Sequence, residues 1–232
     1  MDNWIFWLII IGVILSPFIY SAGSIRNLIL GWRIPTTWIS ALPDQGWVEV
    51  VGRIKGELVK SWLNNSDCAY WQLEVKEYQR GGKGGGYWRT VQKESSGPFE
   101  VDDMTGRINV QTTKDSNLVL KNEVILQDLD DSTKTRLENL GVKTKGFFGV
   151  NKKLRVYERL IAPGEEILVL GKFQKNPEMI SISGGSITPL VISNLSKGEM
   201  LKTYFWRSVR PMIIPFLIGF GFLIFYILTT FR

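Results

Sequence analysis

The sequence predicts a mainly β chain, barrel-like with an OB-like barrel as one form of it, carrying one short inserted helix and flanked by two transmembrane helices. Three observations carry that expectation. Uncharged apolar runs lie near both ends, Trp4–Tyr20 and Pro211–Phe231. From Asp44 to Leu195 apolar and polar residues alternate, broken often by Gly, Pro, Asn and Asp, as in half-buried strands joined by tight turns. One stretch within that region, S-T-K-T-R-L-E-N-L, has Asp131 or Ser132 to cap its start and Gly141 to end it, which marks a short helix.

The first apolar run is near the lower length limit for a membrane span. A secretory signal needs a basic start and a small-residue cleavage site. Here only Asp2 precedes the run, while Arg26 and Arg33 follow it, so an uncleaved anchor is expected. The last run has no charge until Arg232, and Pro211 and Pro215 fall in its first turns, where a missing amide donor costs least. About 20 apolar residues cross a hydrocarbon core of ~30 Å. Arg26, Arg33, Lys197, Lys202, Arg207 and Arg210 all lie on the inner flanks of the two runs. The positive-inside tendency then places the central region in the cytoplasm, with the chain integral to a bacterial or archaeal plasma membrane. The expected organisation is an anchor over 1–22, an interfacial linker over 23–43 and a β domain over 44–195. An amphipathic juxtamembrane helix over 196–210 and a C-terminal transmembrane helix over 211–232 complete it.

Within the β region, Val48, Val50 and Ile54 share one face, with Glu49 and Arg53 on the other. Trp71, Leu73 and Val75 alternate with Gln72, Glu74 and Lys76, and R-I-N-V-Q-T turns Ile108 and Val110 inward. Asn122–Gln127, Lys153–Ile161 and Glu178–Ile182 are further strands. E-I-L-V-L-G-K-F, from Glu166, is apolar on both faces, as a central strand is. Many short strands argue for a barrel or sandwich rather than a βαβ fold. S-K-G-E at Ser196 is a capping box that opens a second helix.

Composition excludes several chemistries. The chain has 232 residues, one cysteine (Cys68) and no histidine, so zinc fingers, RING domains and histidine-assisted nucleophiles cannot be built from it. The formal charge is +6, yet 44–195 holds 21 Lys/Arg against 20 Asp/Glu. A nucleic-acid-binding domain carries its own basic excess, so nucleic acid is not an expected partner. G-G-K-G-G-G, Gly81–Gly86, lacks the spacing of a phosphate loop and reads as a hairpin tip. Asp102 with Asp103 sits at a turn, and Asp128, Asp130 and Asp131 sit at a helix start, where carboxylates serve structure. Tyr87, Trp88 and Arg89, with Trp71 and Phe147/Phe148, interleave aromatics with a cation, as base-stacking surfaces do and as barrel interiors also do. Cys68, with no base to activate it, reads as a small buried apolar residue. No catalytic, cofactor-binding or metal-binding residue is expected, and no cofactor.

V-E-V-V-G-R-I-K-G (Val48–Gly56), S-D-C-A-Y (Ser66–Tyr70), P-F-E-V-D-D-M-T-G-R-I-N-V (Pro98–Val110) and V-Y-E-R-L-I-A-P-G-E-E-I-L-V-L-G (Val156–Gly171) occur in that order. This series resembles the GIDE, or beside-a-membrane, domain of a mitochondrial membrane-anchored E3 ubiquitin ligase and its prokaryotic relatives. The resemblance implies two flanking membrane helices and a ligase setting. In the eukaryotic ligase a RING recruits the ubiquitin-charged enzyme, and these residues hold no zinc ligands for one. The expected function is a non-catalytic, membrane-anchored interaction or scaffold domain at the bilayer surface. Its partners would be the membrane, through two spans, and a protein or a second copy of the chain. Alternatives are a ubiquitin-ligase-like enzyme component, by family analogy, and an OB-like binder of nucleic acid or a small ligand. The candidate interaction surface comprises Asp103, Thr105, Gly106, Pro163, Gly164, Glu165, Tyr87 and Trp88.

Overall fold

A computed structural model of the chain describes residues 3–81, 85–121, 123–146, 149–176, 179–184 and 190–230. In chain order, α1 (Asn3–Arg33) precedes a 3-10 turn at Ile39–Ala41. Then come β1 (Gln45–Lys55), β2 (Val59–Lys60), β3 (Asp67–Cys68), β4 (Tyr70–Arg80), β5 (Gly86–Ser95), β6 (Phe99–Asp102), β7 (Arg107–Gln111), β8 (Asn117–Val119) and β9 (Val124–Leu126). The helix α2 (Asp131–Asn139) leads to β10 (Leu154–Ile161), β11 (Glu166–Asn176), β12 (Met179–Ser183) and β13 (Val191–Ser193), and α3 (Lys197–Thr230) follows. The chain divides into two compact units, one made of 1–35 with 196–232 and the other of 36–195.

In the larger unit five strands close on themselves. β1 pairs with β6, β6 with β7, β7 in parallel with β12, β12 with β11, and β11 with β1 again. The result is a five-stranded Greek-key barrel of the OB type, extended beyond β11 by β13 and β8. Val48, Val50, Ile54, Val101, Ile108, Val110, Ile167, Val169 and Ile182 fill it, each drawn from alternate positions of its strand. β11 sits at the centre: β1 lies along one edge, and β13 and then β12 share the other. The exchange falls at Gly171, where a Cβ would lie 2.5 Å from Ile182 Cγ2 and 2.7 Å from Leu190 Cδ1. Only glycine lets the two neighbours close over that point.

The long connections between β1 and β6 and between β7 and β11 build a second layer. They contribute a four-stranded sheet, β5-β4-β10-β9. Leu137 of α2, 0% exposed, packs with Leu73, Val75, Leu154 and Val156 of this sheet and with Val142 just after the helix. The cap of α2 is Asp130, one residue earlier than the sequence suggested: its carboxylate accepts from Thr133 N at 3.0 Å and from the Ser132 hydroxyl at 2.7 Å. Gly141 follows the helix at φ +81°, as its C′ position requires. β4 and β5 form the expected hairpin, with Gly81 N donating to Gly85 O; the tip residues 82–84 lie outside the described residues, as do Asn122 and Glu178 at the starts of two expected strands, and Phe147 and Phe148.

The flanking helices correct two expectations. Among the described residues no helix is long and apolar enough to cross a membrane. The expected pair of transmembrane helices therefore falls, and with it the two-span integral membrane protein with a cytoplasm-facing domain. The physical reason lies in the polar residues these helices carry. α1 extends past the apolar run through Arg26, Asn27 and Arg33, and Ser21 and Asn27 are buried. α3 carries Glu199, Lys202, Arg207 and Arg210 in its first half. Within this unit the Ser21 hydroxyl donates to Ser208 O at 3.2 Å, and Lys197 Nζ donates to Ile34 O at 2.6 Å. The capping box is present, with Ser196 N donating to Glu199 Oε2 at 3.1 Å.

Candidate functional site

A concave feature of the barrel lies where a strap, 36–41, crosses its outer surface. The strap is held at two points. Thr36 bridges Glu49 of β1 in parallel, Thr37 N donates to Glu49 O at 2.8 Å, and the Thr36 hydroxyl donates to Glu49 Oε1 at 2.5 Å. Further along, Ile39 N donates to Asp103 Oδ2 at 2.7 Å and Ser40 N to Thr105 Oγ1 at 3.2 Å.

Asp103 organises the turn between β6 and β7. Its Oδ1 accepts from Thr105 N at 2.9 Å, the Thr105 hydroxyl at 2.7 Å and Gly106 N at 3.1 Å. The residue is 5% exposed. Burial pushes its carboxyl upward, but the amides of Ile39, Thr105 and Gly106 and the Thr105 hydroxyl outweigh it and hold the pKa below the ordinary aspartate value. Gly106 fits here because a Cβ would come within 2.9 Å of Ile39 Cγ2. The neighbouring Asp102 faces outward, where Met104 N and Arg107 Nε donate to it and lower its pKa.

Between strap and turn lies a groove of about 570 Å³. Trp38 and Met104 stand on its two sides, 61% and 95% exposed, over a floor of Val51 and Gly52. Arg53, Lys55 and Glu166 also line it. Met104 has φ +70°, a conformation costly for a side chain with a Cβ. An exposed apolar side chain held in a strained backbone at a groove mouth is a feature of binding loops.

The structure brings some of the sequence-selected residues together. Arg53 of β1 is opposite Asp102 on one side and Glu166 on the other, so the Asp103–Gly106 turn and the Pro163–Glu165 turn flank the same end of β1. Thr105, Pro163 and Gly164 are exposed and Gly106 half-exposed, whereas the Asp103 carboxylate faces inward. Gly164 adopts φ +72°. Glu165 closes its own turn by accepting from Ala162 N at 2.8 Å, and its other oxygen accepts from Asn194 Nδ2 at 2.8 Å. Tyr87 and Trp88 lie apart from these, on β5 of the second sheet. Tyr87 is 61% exposed; Trp88 meets Tyr78 edge-on at 5.4 Å and is covered by the Arg155 guanidinium at 4.1 Å. Sequence reasoning missed Trp38 and Met104. The signal for Met104 was present: a methionine inside D-M-T-G, where the turn demands a positive φ.

Two buried titratable groups outside the groove, Cys68 and Glu158, serve the fold. Burial, then the charges of Glu158 and Asp67, push the Cys68 thiol up to about 11, so it is a neutral thiol at physiological pH and no nucleophile. Glu158 is 0% exposed; its Oε1 accepts from Trp62 N at 2.5 Å and Leu63 N at 3.1 Å. Burial raises its pKa against those bonds and the charge of Arg136. Among the described residues no cluster of three or more His, Cys, Asp or Glu side chains stands ready for a metal ion.

No curated protein and no solved structure matches the chain. A family model does: the one described as GIDE, E3 ubiquitin ligase, covers residues 75–223, from the middle of β4 into α3, with β1, β2 and β3 before it. That span is well over half of the chain, which belongs to the GIDE family.

Proposed function

We propose that the chain is a non-catalytic recognition module of a ubiquitin-ligase-type system. It binds a segment of a protein partner in the groove between the strap and the Asp103–Gly106 turn. The observation that carries this reading is the pairing of Trp38 and Met104, exposed on the two sides of a groove of about 570 Å³. An apolar side chain of the partner would seat between them, with Arg53 and Lys55 beside it to meet a carboxylate. The donor set supports a non-catalytic part. A RING needs thiolate and imidazole ligands for zinc, and these residues hold one cysteine and no histidine. A thioester route needs a thiolate, and Cys68 holds its proton.

A photo-crosslinking amino acid in place of Met104 tests this, with the same substitution at exposed Thr90 as the control. One partner, or a second copy of the chain, should be captured at position 104 and competed by unlabelled wild-type protein. Equal capture at the two positions would overturn the docking site. Purified chain with activating and conjugating enzymes, ubiquitin and ATP should form no conjugates, and conjugate formation would overturn the non-catalytic part.

A further inference from the structure

The second sheet ends in a basic groove that the recognition site does not involve. Residues 142–156 contain Lys143, Lys145, Lys152, Lys153 and Arg155 and no acidic residue. The segment doubles back on itself: Lys145 bridges Asn151, Lys152 N donates to Thr144 O at 2.8 Å, and Gly146 N donates to Val150 O at 2.8 Å. Thr144 of the first arm and Asn151 of the second thereby reach the start of β10, with Lys143 and Lys145 outside the groove lining. There a groove of about 490 Å³ is lined by Lys134, Lys152, Lys153 and Arg155, with Trp88 and Asp128.

The cations in this groove are unequally engaged. Lys134 is paired with Asp131 and Lys152 with Glu77, each at 2.9 Å. Arg155 lies over the Trp88 ring, its guanidinium carbon 4.1 Å from the centroid, and its Nε is buried without a hydrogen bond. Lys153 is exposed beside it. The ring contact holds the guanidinium in place, and its planar fork is suited to a carboxylate taken through two parallel bonds.

We propose that this groove binds an acidic peptide segment of a partner protein, with Arg155 as the oriented fork and Lys153 as the second cation. Two observations favour a peptide over nucleic acid. Residues 36–195 as a whole carry 21 Lys/Arg against 20 Asp/Glu, where a nucleic-acid-binding domain carries a basic excess in an extended stripe. The Trp88 face that would stack a base is occupied by Arg155.

Fluorescence anisotropy of the full chain with a labelled hexaglutamate peptide provides the test. Binding should saturate and weaken with added salt. It should fall about tenfold in Lys153→Gln/Arg155→Gln, the loss of two charge-assisted contacts. Lys153→Gln alone, at an exposed position that carries none of the fold, should weaken it about threefold, while Lys172→Gln on the barrel should leave it unchanged. Wild-type affinity in the double variant would overturn the proposal, as would an equally charged oligothymidylate binding as tightly as the peptide. Because Lys153 and Arg155 line this groove and not the one beside Met104, the effect of these variants stands apart from the outcome of crosslinking at position 104.

Discussion

Asp103 does more for the barrel than any exposed residue near it. One carboxylate accepts from three backbone amides and a hydroxyl, and one of those amides, Ile39 N, lies 64 residues away in sequence. Asp103→Ala would strand those donors in a site that is 5% exposed. It is expected to cost about 2 kcal/mol, the scale for removing a charged acceptor from buried partners. Urea midpoints should move with an unchanged slope. The bonds favour the ionised form, so the folded pKa lies below the unfolded one. The stabilisation is therefore complete above the unfolded value, near ~4, and is lost as pH falls through the lower folded value. Wild type and Asp103→Ala should converge in stability at that acid end. A gap that stays constant down to the lowest pH would sink this account. D-M-T-G was legible as a turn from residue types alone. That its carboxylate points inward was not, because the amide it receives belongs to a segment whose alternation is too weak to place.

At the scale of elements, the sequence was most legible where one strand is buried on both faces. E-I-L-V-L-G-K-F became β11, with Ile167, Leu168, Val169 and Leu170 all at 3% exposure or less and three strands paired to it. Short elements were less legible. β2, β3, β8 and β13 have two or three residues each, too few for any period to register. The helix α2 is polar along most of its nine residues and buries Leu137 alone, so its place depends on that one side chain. Leu137→Ala should cost about 3 kcal/mol, within the range for emptying a packed leucine site. Hydrogen exchange should rise across α2 and the edge strand β9 while β1 and β11 keep their protection. Uniform acceleration through the barrel would mean that the second layer has no cohesion of its own.

For the whole chain, apolar run length misled where alternation did not. A run counts consecutive apolar residues, and both terminal helices continue past their runs into polar sequence: Arg26 and Asn27 in α1, Glu199 to Arg210 in α3. The alternation of the middle region, in contrast, carries the direction of each side chain and so predicts a core. That core has a consequence for where 36–195 can be cut. Asp44, where the alternation begins, looks like a natural start, yet the strap at 36–41 comes before it and supplies partners to Glu49, Asp103 and Thr105. Glu49 and Asp103 are 0% and 5% exposed, so a fragment beginning at Asp44 leaves two buried carboxylates short of donors. A fragment over 36–195 should unfold in one cooperative transition. One over 44–195 should be less stable by about 3 kcal/mol, the penalty for two buried carboxylates that lose charge-assisted bonds. Introducing Asp103→Ala into both fragments separates the strap from mere chain length. If the strap acts through Asp103, the substitution should destabilise the longer fragment more than the shorter one, because in the shorter one Ile39 is already gone. Equal losses in the two fragments would show that the strap contributes through Glu49 alone.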